Sequence, residues 1–381
     1  MTTYSWKTEY LKDRKKWRIR IELGEDAQGK RKYQTKTLKA KTKREALEEG
    51  RIYYEKFIKG EYVNADLTFG EFVEEWREKY AERHLSPITL QNHNSMLRKH
   101  ILPVFGHKKI KDINIKQSID FIQHLEEKQL LPTSIEYIKN LLKSIFNVAI
   151  KWQIADHNPI NNVTVSKGAK KEVEVFSEEE IRKLLEGLEQ EPARTQALIK
   201  LALSTGMRKG ELLGLQWEDV DFAAGTINIT KSLKYVHGTG FILDSTKTKK
   251  SRVITIDSNT STMLKEYKRI HLKQRLVLGD MWKGTQYNFI FTNSQGSPVH
   301  LNEPNQLFKN LLNKNNLKIT KFHALRHTHA TFLLRKGVNV KVIQTRLGHT
   351  NINMTLNTYA HVLREMDFEA TQHFETLFKR A

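Results

Sequence analysis

The apolar residues of this chain change period once, near residue 67, and that change limits the folds open to it. In "KWRIRIEL" (16–23), Trp17, Ile19 and Ile21 alternate with Arg18 and Arg20, the two-residue period of a strand with one buried face. "WKTEYL" (6–11) and "KRKYQTKTL" (30–38) supply neighbouring strands, with "GEDAQG" (24–29) as a turn. Thr42 then stands three residues before Glu45, the capping-box spacing that opens a helix. Beyond residue 67 the period becomes helical: Phe69, Phe72, Val73 and Trp76 fall on one stripe. A second helix opens at Ser86-Pro87 and should stop at Pro103 and Gly106. "IKQSIDFIQHLEEK" (115–128) and "SIEYIKNLLKSIFNVAIKW" (134–152) complete a bundle of four.

Residues 161–175 lack that period and read as a linker, because Ser177 with Glu180 starts a fresh capping box. The remainder mixes helices with a strand, "GTINIT" (225–230), and a hairpin-like pair within "FILDSTKTKKSRVITID" (241–257). The expected fold is therefore multidomain, mainly α with small β-sheets. A three-stranded sheet plus helix occupies residues 1–62, a helical bundle 67–160 and a mixed α+β domain 176–381.

Charge narrows the function. With 64 Lys+Arg against 43 Asp+Glu the chain carries +21, an excess that seeks a polyanion. Nucleic acid comes before an anionic membrane surface, because no apolar run approaches the ~18 residues of a spanning helix. The start "MTTYSWKTEY" lacks the pattern of a secretion signal. The chain contains no cysteine, which excludes disulfides, thiolate catalysis and zinc fingers. The expected location is the cytoplasm, on nucleic acid. Residues 1–60 hold 18 Lys+Arg and 9 Asp+Glu, so the basic excess is densest there. Arg18, Arg20, Lys30 and Lys32 are the candidate DNA contacts of that sheet, whose basic face suits a major groove. A merely solvated strand face is the alternative.

The stretch "HALRHTHA" (323–330) crowds three histidines and an arginine. His323 and His327 have the spacing of a zinc-binding helix, but Ala324 stands where its catalytic glutamate would be. Arg326 lies on the face of His323, a fork and an imidazole suited to gripping a phosphate. His327 and His329 read as structural. Upstream, Arg208 follows a helix break at Gly206, with Glu211 three residues on to orient it. Downstream, His349 follows a helix-closing Gly348, and Tyr359 comes ten residues later. Singly, each has an ordinary reading: a surface ion pair, a helix end, a core tyrosine.

Taken together, "TGMRKGELLGLQWEDVDF", "HALRHTHATFLL", "LGH" and "TYAHV" resemble, in order, the boxes of the tyrosine recombinases, the phage and transposon integrase family. The three-part layout is similar to that of lambda-type and Gram-positive conjugative-transposon integrases, with arm-binding, core-binding and catalytic domains. The resemblance implies strand exchange through a 3′-phosphotyrosine and a Holliday junction, with neither metal, ATP nor other cofactor. It implies Tyr359 as nucleophile and Arg208 and Arg326 as the clamp on the nonbridging oxygens. It further implies His323 in proton transfer, His349 steadying the phosphate, and Lys247 as general acid, with Lys249 and Lys250 close by as alternatives. The implied partners are double-stranded DNA at core and arm sites, a homo-tetramer, an excisionase and a DNA-bending protein. By the same analogy the tail, with Phe368, Phe374, Leu377 and Phe378, packs on a neighbouring protomer or caps its own. The rival classes are a noncatalytic DNA-binding regulator that keeps this fold and a metal-dependent nuclease.

Overall fold

A computed structural model of the chain describes residues 4–11, 16–25, 31–58, 67–166, 168, 174–245, 251–284, 286–353 and 356. It divides into two compact units, Met1–Ala169 and Lys170–Ala381. Among the described residues no helix is long and apolar enough to cross a membrane.

The first unit opens with an antiparallel sheet, β1 (Trp6–Leu11), β2 (Lys16–Glu25) and β3 (Arg31–Leu38), in the order β1-β2-β3. Ile19 and Ile21 are fully buried beneath α1 (Lys43–Ile58), against Ala46 and Tyr53. Thr42 and Glu45 bond reciprocally at the start of α1, as their spacing predicts. The turn expected from residue 24 begins later. A bulge between Glu22 and Gly24 lets β2 bend and run on to Glu25. Arg18 and Arg20 lie on the face away from α1, but neither is an isolated charge. Arg18 donates from Nε to Glu9 Oε1 at 2.8 Å, and the Arg20 guanidinium stacks 3.5 Å above the Tyr33 ring. Lys32 stands opposite Gly24 in the register, and Lys30 lies outside the described residues.

The helical part runs α2 (Phe69–Trp76), α3 (Glu82–His84), α4 (Pro87–Met96), α5 (Leu102–Phe105), α6 (Ile115–Glu127) and α7 (Pro132–Lys151). The stripe Phe69, Phe72, Val73 and Trp76 is buried, with Phe69 stacked on Phe146 at 5.6 Å. Pro103 does not stop the second helix. A π-turn at Leu97–Ile101 precedes it, the Leu102 N–H reaching back five residues to the Leu97 carbonyl. That wider turn admits a proline where an α-helix would clash. Only Gly106 ends the run. A second π-turn, Arg77–Ala81, joins α2 to α3. The expected linker is anchored at both ends. Val163 is buried in the bundle core, and the Ser166 N–H donates to Glu126. Within the second unit Phe176 is buried and its N–H donates to Thr328 Oγ1 at 3.1 Å.

The second unit contains α8 (Glu178–Leu188), α9 (Ala193–Thr205), α10 (Lys209–Leu213), β4 (Val220–Asp221), β5 (Thr226–Ile229), β6 (Lys231–Val236), β7 (Gly240–Ser245) and β8 (Arg252–Thr255). After these come α11 (Ser258–Leu278), α12 (Glu303–Lys314), α13 (Ala324–Arg335) and α14 (Val340–Leu347). The Ser177–Glu180 capping box opens α8 as expected. The hairpin expected between 241–245 and 252–256 is not formed. β7 pairs with β6 across a tight turn, while β8 joins the sheet β4-β5-β8. Ile254 pairs there with Ile227, and both are core residues. Strand β6 escapes a periodicity reading because its buried residues, Leu233 and Val236, are three apart. Beyond a single 3-10 turn at Gly279–Met281, the described residues between α11 and α12 are not helical; they bury Phe289, Ile290 and Phe291 in irregular backbone.

A buried histidine stabilises this core only while neutral. His271 Nδ1 accepts from Trp217 Nε1 at 3.2 Å, which leaves its Nε2 to donate to Thr292 Oγ1 at 3.1 Å. Burial, helped by Arg275, pulls its pKa down to about 4. The unfolded chain binds this proton near pH ~6.5, so the contribution is whole above that pH and is lost as pH falls toward ~4. Between pH ~7 and ~5 this one group should remove about 2 kcal/mol, order of magnitude, from the stability of the second unit. Denaturant unfolding at the two pH values measures it. His271→Gln, which keeps an acceptor and a donor, should shrink the difference by about that amount, and an unchanged pH slope refutes the assignment.

Candidate active site

Two helices end on the same device, and the site is built between them. Helix α9 closes on Gly206 (φ 64°) and α14 on Gly348 (φ 65°), both in the left-handed conformation glycine adopts without strain. The space is as restrictive as the angle: a Cβ on Gly206 would stand 2.6 Å from His329 Cδ2. Each closure turns its last carbonyls, the negative end of a helix, toward neighbouring cations.

Arg326, on α13, is buried and bridges the two ends. Its Nη1 donates to Gly206 O at 2.7 Å and its Nη2 to Leu347 O at 2.8 Å. Arg208, the N-cap residue of α10, comes from the other side. Its Nη2 donates to Gly348 O at 3.0 Å and its Nη1 to Glu211 Oε1 at 2.8 Å. Two guanidinium groups from distant segments thus hold adjacent carbonyls of one turn, Leu347–Gly348. Arg208 is the more accessible, with 22% of its side chain exposed. His349 is the next residue in that turn. Its carbonyl accepts from Gln344 Nε2 at 3.0 Å.

Cations crowd both histidines. Desolvation first, then Arg326 and Arg208, holds His349 below the usual imidazole pKa. His323 keeps an accessible edge, yet desolvation of its ring and then His327, Arg326, Arg208 and Lys209 act in the same direction. Both imidazoles are therefore neutral at pH 7, one nitrogen able to donate and the other to accept. The rings of His323 and His327 meet edge to face at 4.9 Å. His329 is buried, its Nδ1 donating to the Leu203 carbonyl at 2.8 Å, a structural use.

Glu211 is almost wholly buried and serves two arginines. Besides Arg208 it accepts from Arg252 Nη2, at 2.6 Å through Oε2. Burial pushes its carboxyl up, and the guanidinium groups, Arg252 foremost, more than offset this and hold it ionised below the usual range. Sequence reasoning assigned Arg252 no role in the site. A sharper signal was available: Arg252 is two residues before Ile254, so it shares the inward face of β8, and an inward arginine requires a buried acid. The structure brings together Arg208, Glu211, His323, Arg326 and His349. Lys247 and Tyr359 lie outside the described residues.

Comparisons with known proteins agree with this architecture. The phage integrase family matches residues 174–366, and the phage integrase N-terminal SAM-like domain matches residues 68–126. A tyrosine recombinase XerC-like protein of Caldanaerobacter subterraneus subsp. tengcongensis is 30% identical, over 98% of this chain and 99% of its own length. The ICEBs1 integrase of Bacillus subtilis is 27% identical over 76% of this chain and 78% of its own. Among solved structures, the Tn1549 transposon integrase in complex with a circular intermediate DNA superposes with a TM-score of 0.65 at 25% identity. That match covers 78% of this chain and 97% of the other. The chain belongs to the phage integrase family, the tyrosine recombinases.

Proposed function

We propose that this protein is the integrase of a mobile genetic element, and that it cuts and rejoins DNA through a covalent bond between Tyr359 and a 3′ phosphate. The observation that carries the mechanism is the meeting of Arg208, Arg326 and His349 around the Leu347–Gly348 turn. Fixed guanidinium groups can neutralise the nonbridging oxygens of a pentavalent phosphorus, where negative charge gathers, and need no reorganisation to do so. Tyr359 attacks the phosphorus and the 5′ oxygen leaves. His323, kept neutral by its surroundings, takes the phenolic proton, because only a neutral imidazole can accept one. Lys247 gives a proton to the departing 5′ oxygen, and His349 steadies the phosphate. Reversal by a new 5′ hydroxyl reseals the strand, so the energy of the broken linkage is kept and ATP is not consumed.

The rest of the chain serves recognition in this reading. The helical bundle of residues 67–160 grips the core site. The sheet of residues 1–62 reads arm sites with the face that carries Arg18 and Arg20, and with Lys30 and Lys32. The similar fold of an integrase seen with circular intermediate DNA supports double-stranded DNA as the substrate. Exchange of two duplexes requires four active sites, hence a tetramer through a Holliday junction, with the tail of residues 364–381 packing on a neighbouring protomer or capping its own. An excisionase and a DNA-bending protein set direction.

A suicide substrate nicked beside the core site tests this. The protein should become covalently attached to the 3′ end of the cleaved strand, visible as a slower band on a denaturing gel, with chelator present and no ATP. DNA binding without any adduct would identify a noncatalytic regulator, and cleavage abolished by chelator would identify a metal nuclease.

A further inference from the structure

Arg252 is the buried charge that the mechanism above leaves unused. It opens β8, directly after the segment that contains Lys247, and only 7% of its side chain is exposed. Its three nitrogens have different surroundings. Nη2 donates to Glu211 Oε2, and Nε donates to the Arg346 carbonyl at 2.8 Å, near the end of α14. Nη1 is buried without a hydrogen-bond partner among the described residues, and a Cβ on Gly348 would stand 2.8 Å from it. One side chain therefore ties the strand after the Lys247 segment to α10 and to the turn that carries His349.

The charges around Glu211 explain why such a tie matters. Glu211 alone with Arg208 would form a neutral pair, and the carboxylate would cancel much of the field that Arg208 presents to a phosphate. With two guanidinium groups sharing one carboxylate, the cluster keeps a net positive charge. The attraction that draws Glu211 is split between two directions, so Arg208 is oriented without being neutralised.

We propose that Arg252 is a positioning residue for strand cleavage: by sharing Glu211 and clasping the Arg346 carbonyl, it keeps the charge of Arg208 available to the scissile phosphate. The ordering of pKa influences agrees, since Arg252 is the foremost cation acting on Glu211 and also acts on His349. The proposal rests on Arg208 being the phosphate clamp, and the test separates the two ideas.

Adduct formation is timed on two nicked substrates, one with the natural phosphodiester at the cleavage position and one with an uncharged methylphosphonate there. Arg252→Met should slow the phosphodiester by roughly 10–100-fold, less than the direct loss of a transition-state donor, with DNA affinity within about threefold of wild type. On the methylphosphonate, which has no anionic oxygen to neutralise, the same variant should lose under about threefold. Equal losses on both substrates would reveal a merely structural residue and overturn the proposal, as would no loss on either. Arg252→Lys, which keeps a cation beside Glu211, serves if the methionine variant does not fold. It should stay within about fivefold of wild type on the phosphodiester, and a loss above about tenfold there overturns the proposal. Wild type failing to form any adduct would instead bring down the clamp reading itself, and this proposal with it.

Discussion

Tyr359→Phe should bind core-site DNA as wild type does and form no covalent adduct at all. The change removes one oxygen and leaves a ring of nearly the same shape, so packing and charge around the site are retained. What it removes is the proposed nucleophile. A phenol ionises near pH ~10, so at neutral pH it attacks only where an acceptor and nearby cations favour loss of its proton. In the proposed mechanism the charged cluster of Arg208, Arg326 and Arg252 with the neutral His323 supplies that setting. No other step can substitute for the missing oxygen, because the retained strand has to be held on the protein. The adduct should therefore fall below detection while gel-shift affinity stays within about threefold, a change too small to report lost contacts. Equal trapping by the phenylalanine variant would move the nucleophile elsewhere, and a parallel loss of binding would make Tyr359 a structural residue.

How far the sequence disclosed this molecule depends on the distance over which each feature is decided. Capping boxes at Thr42 and Ser177 and the stripe from Phe69 to Trp76 are local, and they stand where spacing placed them. Strand pairing is decided by remote partners. "FILDS" and "RVITI" look like the arms of one hairpin, yet Ile254 pairs with Ile227 and β7 turns back on β6. Pro103 broke a local rule because a π-turn preceding it, invisible in composition, relieved the clash. The site followed the same division. Gly206, Arg208, Gly348 and His349 were recognisable as helix ends bearing polar residues. That the guanidinium of Arg326 would join the carbonyls of Gly206 and Leu347, 120 and 21 residues away in the chain, could not be read from any spacing. Nor could Glu211 be seen to serve two arginines, one of them 41 residues downstream.

Arg326→Lys tests that convergence most severely, because it keeps the charge and removes the fork. The two carbonyls that Arg326 holds belong to different helix ends, and an ammonium on a flexible stem cannot reach both in the geometry of a planar guanidinium. One carbonyl, Gly206 O or Leu347 O, would lose its partner inside the protein, at about 1–3 kcal/mol. The greater loss falls on the reaction. The Leu347–Gly348 turn also receives Arg208 and carries His349, so in the proposed mechanism loosening it displaces both groups from the phosphate together. Removal of one preorganised donor typically lowers a rate by on the order of 10²–10³, and that is the expected fall in adduct formation, with DNA binding weakened by no more than about fivefold. Thermal unfolding should show a modest drop of the second unit, consistent with one orphaned carbonyl. A lysine variant that cleaves within about tenfold of wild type would mean that charge alone suffices and that the bridging of α9 to α14 is incidental. A variant that cleaves normally but melts early would assign Arg326 to the fold and leave the phosphate to Arg208.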